Sequence, residues 1–347
     1  MLADLSAGGE MRAKTIRSVL VVHDTPEDCK EMLNRRFPDI RFAFATREDD
    51  IAAALTDSDP QAVFSVEHVH FSGEVLRRAM LHPSVRWFHV GGSGYDYLLP
   101  WPREDIRVTT GVGVLAPFPA ETVFAGILAL NGRVLLYADQ QRRHEWRPRS
   151  FRPLHEQTLL VVGLGSIGSV VARIAKAFGM RVLAIKRSPP ASDSSVDEIY
   201  PPSALSDVIG RADVISLHVR LTQETVRMID RRWLSAMKPG SLLVNTSRGA
   251  VVDETALIEA LEVGHLGGAY LDVFACEPLP SCSRLWSFSN VLITPHAADS
   301  VNDWPQRYAA RFAENLERWN DGRSLVGEIS ARSVRAESCQ EGDVSAR

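Results

Sequence analysis

The run Gly163-Leu164-Gly165-Ser166-Ile167-Gly168 follows the apolar stretch TLLVV, residues 158–162, and leads into a helical pattern over 169–178 that ends at Gly179. In that setting each glycine has a task. The first permits a tight turn, the second lets backbone N–H groups approach a pyrophosphate, and the third packs helix against strand. Ser166 and Ile167 fall at the helix start, where orphaned N–H groups favour an anion. A dinucleotide is the expected occupant, with a ligand-free glycine turn as the alternative. After the next apolar run, RVLAI, a carboxylate would bind the adenosine ribose hydroxyls, but Lys186, Arg187 and Ser188 stand there. A carboxylate repels the 2′-phosphate that distinguishes NADP from NAD, and Lys or Arg attracts it. NADP(H) is therefore expected over NAD(H), unless the two basic residues are only a solvated face. Three later segments each close a strand-like run: Asn245-Thr246-Ser247-Arg248-Gly249, Asp272-Val273-Phe274-Ala275-Cys276-Glu277-Pro278, and Thr294-Pro295-His296. They bring a planar guanidinium, a carboxylate and an imidazole to the side where open α/β sheets bind ligands. Taken singly, Arg248 could cap a sheet edge, Glu277 could open a turn before Pro278, and His296 could be a packed core histidine.

Such side chains need parallel strands to carry them. The runs SVLVVH, RFAFAT, AVFSV and VRWFHV alternate with helical sequence, one helix ending near Leu81, and the last run enters Gly91-Gly92-Ser93-Gly94. This first series closes at Arg107-Val108-Thr109-Thr110. Pro117 and Pro119 then open one long apolar helix over 120–141, with Glu121 suited to its first turn. Residues 142–152 form a basic arm containing Trp146, without periodicity. A second series follows: TLLVVG, RVLAI, DVISLHV, SLLVNT, GGAYLDVF and NVLITPH, separated by segments of βαβ length. An amphipathic helix over 304–319 is expected to return to the first domain. The predicted fold is thus α/β with two domains, each a parallel sheet with flanking helices. A Rossmann-type nucleotide domain, 118–298, is inserted in a smaller flavodoxin-like substrate domain, 1–117, completed by 299–327. Residues 328–347 and the first dozen are expected to be disordered.

Composition narrows the partners. The 347 residues carry 39 basic against 43 acidic side chains, a net charge of −4, so nothing steers the whole molecule toward nucleic acid or an anionic membrane. Hydrophobic residues at 45% and charged residues at 24% are the balance of a globular protein. No apolar run approaches membrane-spanning length and the start lacks a signal pattern, so a cytoplasmic location is expected. Cys29, Cys276, Cys282 and Cys339 form no Cys-x-x-Cys pair and are expected as reduced thiols. His68-Val69-His70 alternates as a strand would, and no histidine spacing suggests a metal.

In the order GLGSIG, SLHVRLTQET, MKPGSLLVNTSRGAVVDETAL, LDVFACEPLP and NVLITPHAA, the chain resembles the D-isomer-specific 2-hydroxyacid dehydrogenases over roughly residues 85–320. The resemblance implies an NAD(P)-dependent oxidoreductase that interconverts a small 2-oxo acid and its D-2-hydroxy acid, with glyoxylate or hydroxypyruvate reduction favoured. It implies Arg248 as holder of the substrate carboxylate, His296 as proton donor to the carbonyl oxygen, and Glu277 as partner of that imidazole. Ser93 and Gly94 match the loop whose N–H groups receive the substrate carboxylate, although a plain glycine turn is the rival. His218, Thr225, Thr246 and Asp272 lie in segments that line the cofactor in similar enzymes, and His218 could equally be a packed strand-end residue. A homodimer is implied as well. Trp146 resembles an aromatic at the subunit interface, or packs on its own helix. The chain departs from the pattern at Arg220, where proline is usual, and at Asp299, where a small residue is common; an acid there could repel an anionic substrate. Two other readings stay open: a phosphoglycerate dehydrogenase-like enzyme, and a dinucleotide-sensing, co-repressor-like protein with little turnover.

Overall fold

The structure, a computed structural model, describes residues 15–66, 71–99, 103, 105–188 and 194–329. His68-Val69-His70, Cys339, the first dozen residues and 330–347 lie outside the described residues. The chain divides into two compact units, Leu115–Asn302 and the segments on either side of it.

In the flanking unit the elements run β1 (Ser18–Val22), α1 (Glu27–Arg36), β2 (Arg41–Ala45), α2 (Asp50–Ser58), β3 (Ala62–Ser65), α3 (Gly73–Met80), β4 (Trp87–Val90) and β5 (Arg107–Thr110). The five strands are parallel in the order β2-β1-β3-β4-β5, a flavodoxin-like arrangement. Every residue of β3 and β4 is buried, which explains why these strands read as continuous apolar runs rather than alternating ones. The C-terminal helix, Trp304–Asn320, lays Phe312 in stacking contact with Phe64 at 4.8 Å and Trp87 at 5.0 Å. Glu328 and Ile329, expected to begin a disordered tail, instead extend the edge at β5. Arg107 pairs with Glu328 at 2.6 Å, and the Ile329 N–H donates to the Val108 carbonyl at 2.9 Å. An edge strand with free backbone groups captures such a segment.

The other unit contains α4 (Pro117–Asn131), α5 (Val134–Arg142), β6 (Thr158–Val162), α6 (Ser166–Ala177), β7 (Arg181–Ile185), β8 (Glu198–Tyr200), α7 (Leu205–Val208), β9 (Val214–Leu217), α8 (Arg231–Ala236), β10 (Leu242–Asn245), α9 (Glu254–Glu262), β11 (Gly268–Leu271) and β12 (Val291–Ile293). Its seven parallel strands run β12-β11-β10-β9-β6-β7-β8, the Rossmann order, with the direction of winding reversing at β6. That reversal opens a crevice beyond the carboxyl ends of β6 and β9, the usual ligand position in such sheets. β8 escaped the sequence reading because a three-residue edge strand, Glu198-Ile199-Tyr200, offers no apolar run.

The single helix expected over 120–141 is two helices, bent by 61° between α4 and α5. Gly132 ends the first, and Arg133 adopts the left-handed conformation at φ 59°. The weak helix propensity of glycine marks the break. The apolar character of α4 belongs to packing: a Cβ on Gly126 would fall 2.3 Å from the Tyr270 ring, so helix and sheet touch almost backbone to side chain. Among the described residues, no single helix is long and apolar enough to cross a membrane.

Candidate active site

The glycine loop after β6 has the shape its spacing demands. Gly163 turns at φ 101°, and a Cβ there would lie 2.5 Å from the His218 carbonyl oxygen. At Gly168 a Cβ would meet the Gly163 carbonyl oxygen at 2.2 Å, so this residue seats α6 on the sheet. Around Gly165, by contrast, an added Cβ would meet nothing within 4 Å. That open space borders the first turn of α6, where Ser166 and Ile167 begin the helix and no side chain caps its N–H groups. The cradle therefore suits an anion held by backbone N–H groups. Two buried polar atoms at neighbouring strand ends also lack partners among the described residues: Thr246 Oγ1 after β10 and His218 Nδ1 after β9. His218 Nε2 is engaged by Ser216 Oγ at 2.8 Å, and burial pushes the imidazole pKa down to about 4, so the ring is neutral. A dinucleotide fits this set.

Lys186, Arg187 and Ser188 follow β7 at the surface. The Lys186 N–H donates to the Tyr200 carbonyl at 2.9 Å, and Arg187 makes a loose 3.3 Å pair with Glu224, both side chains well exposed. Thr225 is turned inward on its own loop. Its hydroxyl donates to the Arg220 carbonyl at 2.6 Å and accepts from the Thr222 N–H at 2.7 Å.

The acid–base end is built by the loops after β10, β11 and β12. Asn245 shapes the first of them: its Oδ1 accepts from the Ser247 N–H and hydroxyl at 3.0 and 2.7 Å, and its Nδ2 donates to the Arg248 carbonyl at 3.0 Å. Gly249 is then pressed so closely on the next loop that a Cβ would lie 1.9 Å from the Phe274 carbonyl carbon. These contacts hold the Arg248 segment beside the Glu277 segment. One Arg248 Nη donates to the Ser247 carbonyl at 2.9 Å, and the guanidinium charge reaches both Glu277 and His296.

His296 sits in the left-handed region at φ 51°, a conformation that its surroundings must impose. Asp272 imposes it. The Asp272 carboxylate accepts from the Thr294 hydroxyl, the Ala297 N–H at 2.9 Å and the Ala298 N–H at 3.1 Å, while its carbonyl accepts from the His296 N–H at 2.8 Å. Asp272 thus organises the histidine loop, although the sequence pointed to it as a cofactor-lining residue. Glu277 bridges the two loops: one oxygen accepts from the Phe274 N–H at 2.9 Å, and the other meets His296 Nδ1 at 2.7 Å. The Glu277 hydrogen bond raises the His296 pKa above its ordinary value, against burial and the Arg248 charge. Burial alone would push the Glu277 carboxyl up, but the hydrogen bonds from His296 and Phe274, with the charges of His296 and Arg248, bring it below the usual range.

The described geometry therefore brings together Arg248, Glu277 and His296, with Asp272 behind them and the glycine loop in the same sheet. Ser93 and Gly94 belong to the flanking unit, in the loop after β4. Sequence reasoning passed over Asn245, Gly249 and Thr294 as site-builders. The available signal was an asparagine and a glycine bracketing Arg248, residue types suited to local turns and close backbone approach.

The model for the NAD-binding domain of the D-isomer-specific 2-hydroxyacid dehydrogenases matches residues 124–298. A glyoxylate reductase of Korarchaeum cryptofilum is 39% identical over 276 residues, covering 76% of this chain and 81% of the relative. An (S)-sulfolactate dehydrogenase of Chromohalobacter salexigens is 38% identical, covering 79% of this chain and 89% of the relative. Among solved structures, an NADPH-dependent glyoxylate/hydroxypyruvate reductase of Sinorhizobium meliloti, in complex with NADP and sulfate, superimposes with a TM-score of 0.78 at 25% identity, over 91% of this chain and 99% of that one. The chain belongs to the D-isomer-specific 2-hydroxyacid dehydrogenase family. It is an oxidoreductase with a Rossmann NAD-binding domain, acting on 2-hydroxy acids or their 2-oxo counterparts.

Proposed function

We propose that this enzyme reduces a short 2-oxo acid, glyoxylate or hydroxypyruvate, to the D-2-hydroxy acid with NADPH. The observation that carries the reading is the 2.7 Å contact between His296 and Glu277 within reach of the Arg248 charge. Arg248 holds the substrate carboxylate with its planar fork and polarises the 2-carbonyl. His296, tied at Nδ1, keeps Nε2 to donate a proton to the carbonyl oxygen, and its raised pKa keeps that proton available in the reductive direction. When bound, the nicotinamide supplies the hydride. Glu277 fixes the ring and stabilises the imidazolium. Backbone N–H groups of Gly165, Ser166 and Ile167 take the pyrophosphate, and Thr246 and His218 offer their unpartnered atoms to the nucleotide.

Lys186, Arg187 and Ser188 favour the 2′-phosphate, since the exposed 3.3 Å pair of Arg187 with Glu224 is a weak competitor for a doubly charged group. The NADPH-dependent relative from Sinorhizobium meliloti supports the same preference. A homodimer formed through the arm is part of the proposal, because Trp146 is 96% exposed on the surface of its unit. The test is a panel of 2-oxo acids assayed with NADPH and NADH, following loss of the reduced cofactor. Rapid oxidation with glyoxylate or hydroxypyruvate is expected. Tight dinucleotide binding without turnover on any acid would overturn the reading in favour of a sensor.

A further inference from the structure

Three carboxylates surround His296, and they are employed differently. Asp272 accepts three hydrogen bonds from the histidine loop after β12, from Thr294, Ala297 and Ala298. Glu277 is committed to the imidazole and the Phe274 N–H. The third, Asp299, is half-buried, its charge is felt by His296, Asp272 and Arg248, and among the described residues its carboxylate accepts only from its own backbone N–H. Its place is fixed. Ala298 before it is buried and bound to Asp272, and the turn closes through Ser300 N–H to Ala297 O at 3.1 Å and Val301 N–H to Asp299 O at 2.8 Å. Asp272 and Glu277 have their charge answered by hydrogen-bond donors and the imidazole, whereas among the described residues Asp299 has no partner beyond its own N–H.

We propose that Asp299 sets the charge class of the substrate, excluding 2-oxo acids that carry a second negative group and leaving the site to short monoanionic ones. The inference rests on Arg248 as carboxylate anchor. Around His296 the cationic groups are Arg248 and the protonated imidazole, and the anionic ones are Glu277, Asp272 and Asp299. One substrate carboxylate takes the guanidinium. Among the described residues of this cluster a second anionic group would find no further cation and would meet Asp299, in a setting where water screens poorly. Rejection by a fixed repulsive group is one of the two ways a site discriminates.

Oxamate and oxalate make the probe pair, since they share size and shape and differ by one charge. Their binding to the NADPH-loaded enzyme can be measured by calorimetry at a pH where oxalate is a dianion. The wild-type protein is expected to prefer oxamate by about tenfold or more. In Asp299→Asn, oxalate should tighten by about tenfold with oxamate changed less than about threefold. Asp299→Ser, lacking the amide, should repeat the effect. An unchanged ratio in both variants, or equal weakening of both anions, overturns the inference. Failure of oxamate to bind wild type overturns the Arg248 anchor and this inference with it. Charge preference without turnover on any 2-oxo acid overturns only the proposed reaction.

Discussion

The two sheets of this chain are built alike, from parallel strands, yet His89 within one and His296 beyond the other meet opposite surroundings. His89, in β4 of the five-stranded sheet, is enclosed by Phe64, Trp87 and Phe312 at 5.6, 5.9 and 5.7 Å, with Nδ1 held by Thr109 Oγ1 at 2.6 Å. Burial pushes its pKa down to about 3, so the ring is a neutral piece of an aromatic core. His296, beyond β12 of the seven-stranded sheet, is part-exposed, carboxylate-bound and raised. Residue type therefore does not make an imidazole an acid. A charged partner and an open approach do, and the loops that carry His296 and Glu277 supply both.

The sharpest way to break this contrast is to injure each sheet at its own histidine neighbourhood and ask which property fails. Phe312→Ala removes a ring stacked on Phe64 and Trp87 and should lower unfolding free energy by about 3–5 kcal/mol, read by urea unfolding. A loss under about 1 kcal/mol would mean the aromatic layer is loosely packed and His89 is not locked within it. His296→Gln should do the reverse: kcat falls about 100-fold or more, near 2.7 kcal/mol of barrier, while the unfolding midpoint and NADPH affinity hold. A parallel fall in stability would assign His296 to structure.

The degree to which the molecule was legible in sequence follows the same division. The inner strands of both sheets announced themselves because they are buried on both faces, as TLLVV and AVFS show, whereas the short edge strand β8 did not. The glycine loop was legible because each glycine answers a different steric demand at Gly163, Gly165 and Gly168. What stayed hidden depends on contacts far apart in the chain. Gly132 marks a weak point in the helix, but a single glycine does not state that the chain must bend there by 61°. Asp272 reads as a cofactor residue until its carboxylate is seen holding Ala297 and Ala298, 25 and 26 positions away. Glu328 looked like a tail because its partner, Arg107, lies 221 residues earlier.

Glu277→Gln sharpens the contrast by leaving His296 in place but without its charge partner. The His296 pKa is raised in the folded protein, so the imidazolium is present below that value and is lost as pH rises through it. Glu277 is lowered, so its carboxylate is lost only as pH falls below the usual carboxyl range. The ion pair therefore stabilises the loops between these limits, and reductive kcat/KM should fall on the alkaline side. With the carboxylate gone, the largest cause of the raised histidine pKa is gone, and the alkaline limb should move to lower pH with about a tenfold loss of kcat near neutrality. A limb that stays where it was would show that another group sets it.

The smallest effect expected lies at the nucleotide end, where the contrast is between two ways an arginine can serve. Arg248 lies in the catalytic cluster, on a loop held by Asn245 and Gly249, whereas Arg187 rests on the surface against Glu224. Because that surface pair contributes about 0–1 kcal/mol, Arg187→Ala should leave stability within about 0.5 kcal/mol. If the guanidinium meets the 2′-phosphate, KM for NADPH should rise about tenfold while KM for NADH is unchanged, the range of a charge-assisted hydrogen bond. Equal changes for both cofactors would make Arg187 a solvated surface residue and return the preference between NADP and NAD to Lys186 and Ser188. Glu224→Gln adds a sign test: freeing Arg187 from this ion pair should tighten NADPH slightly, and weakening would mean Glu224 orients the guanidinium rather than competing for it.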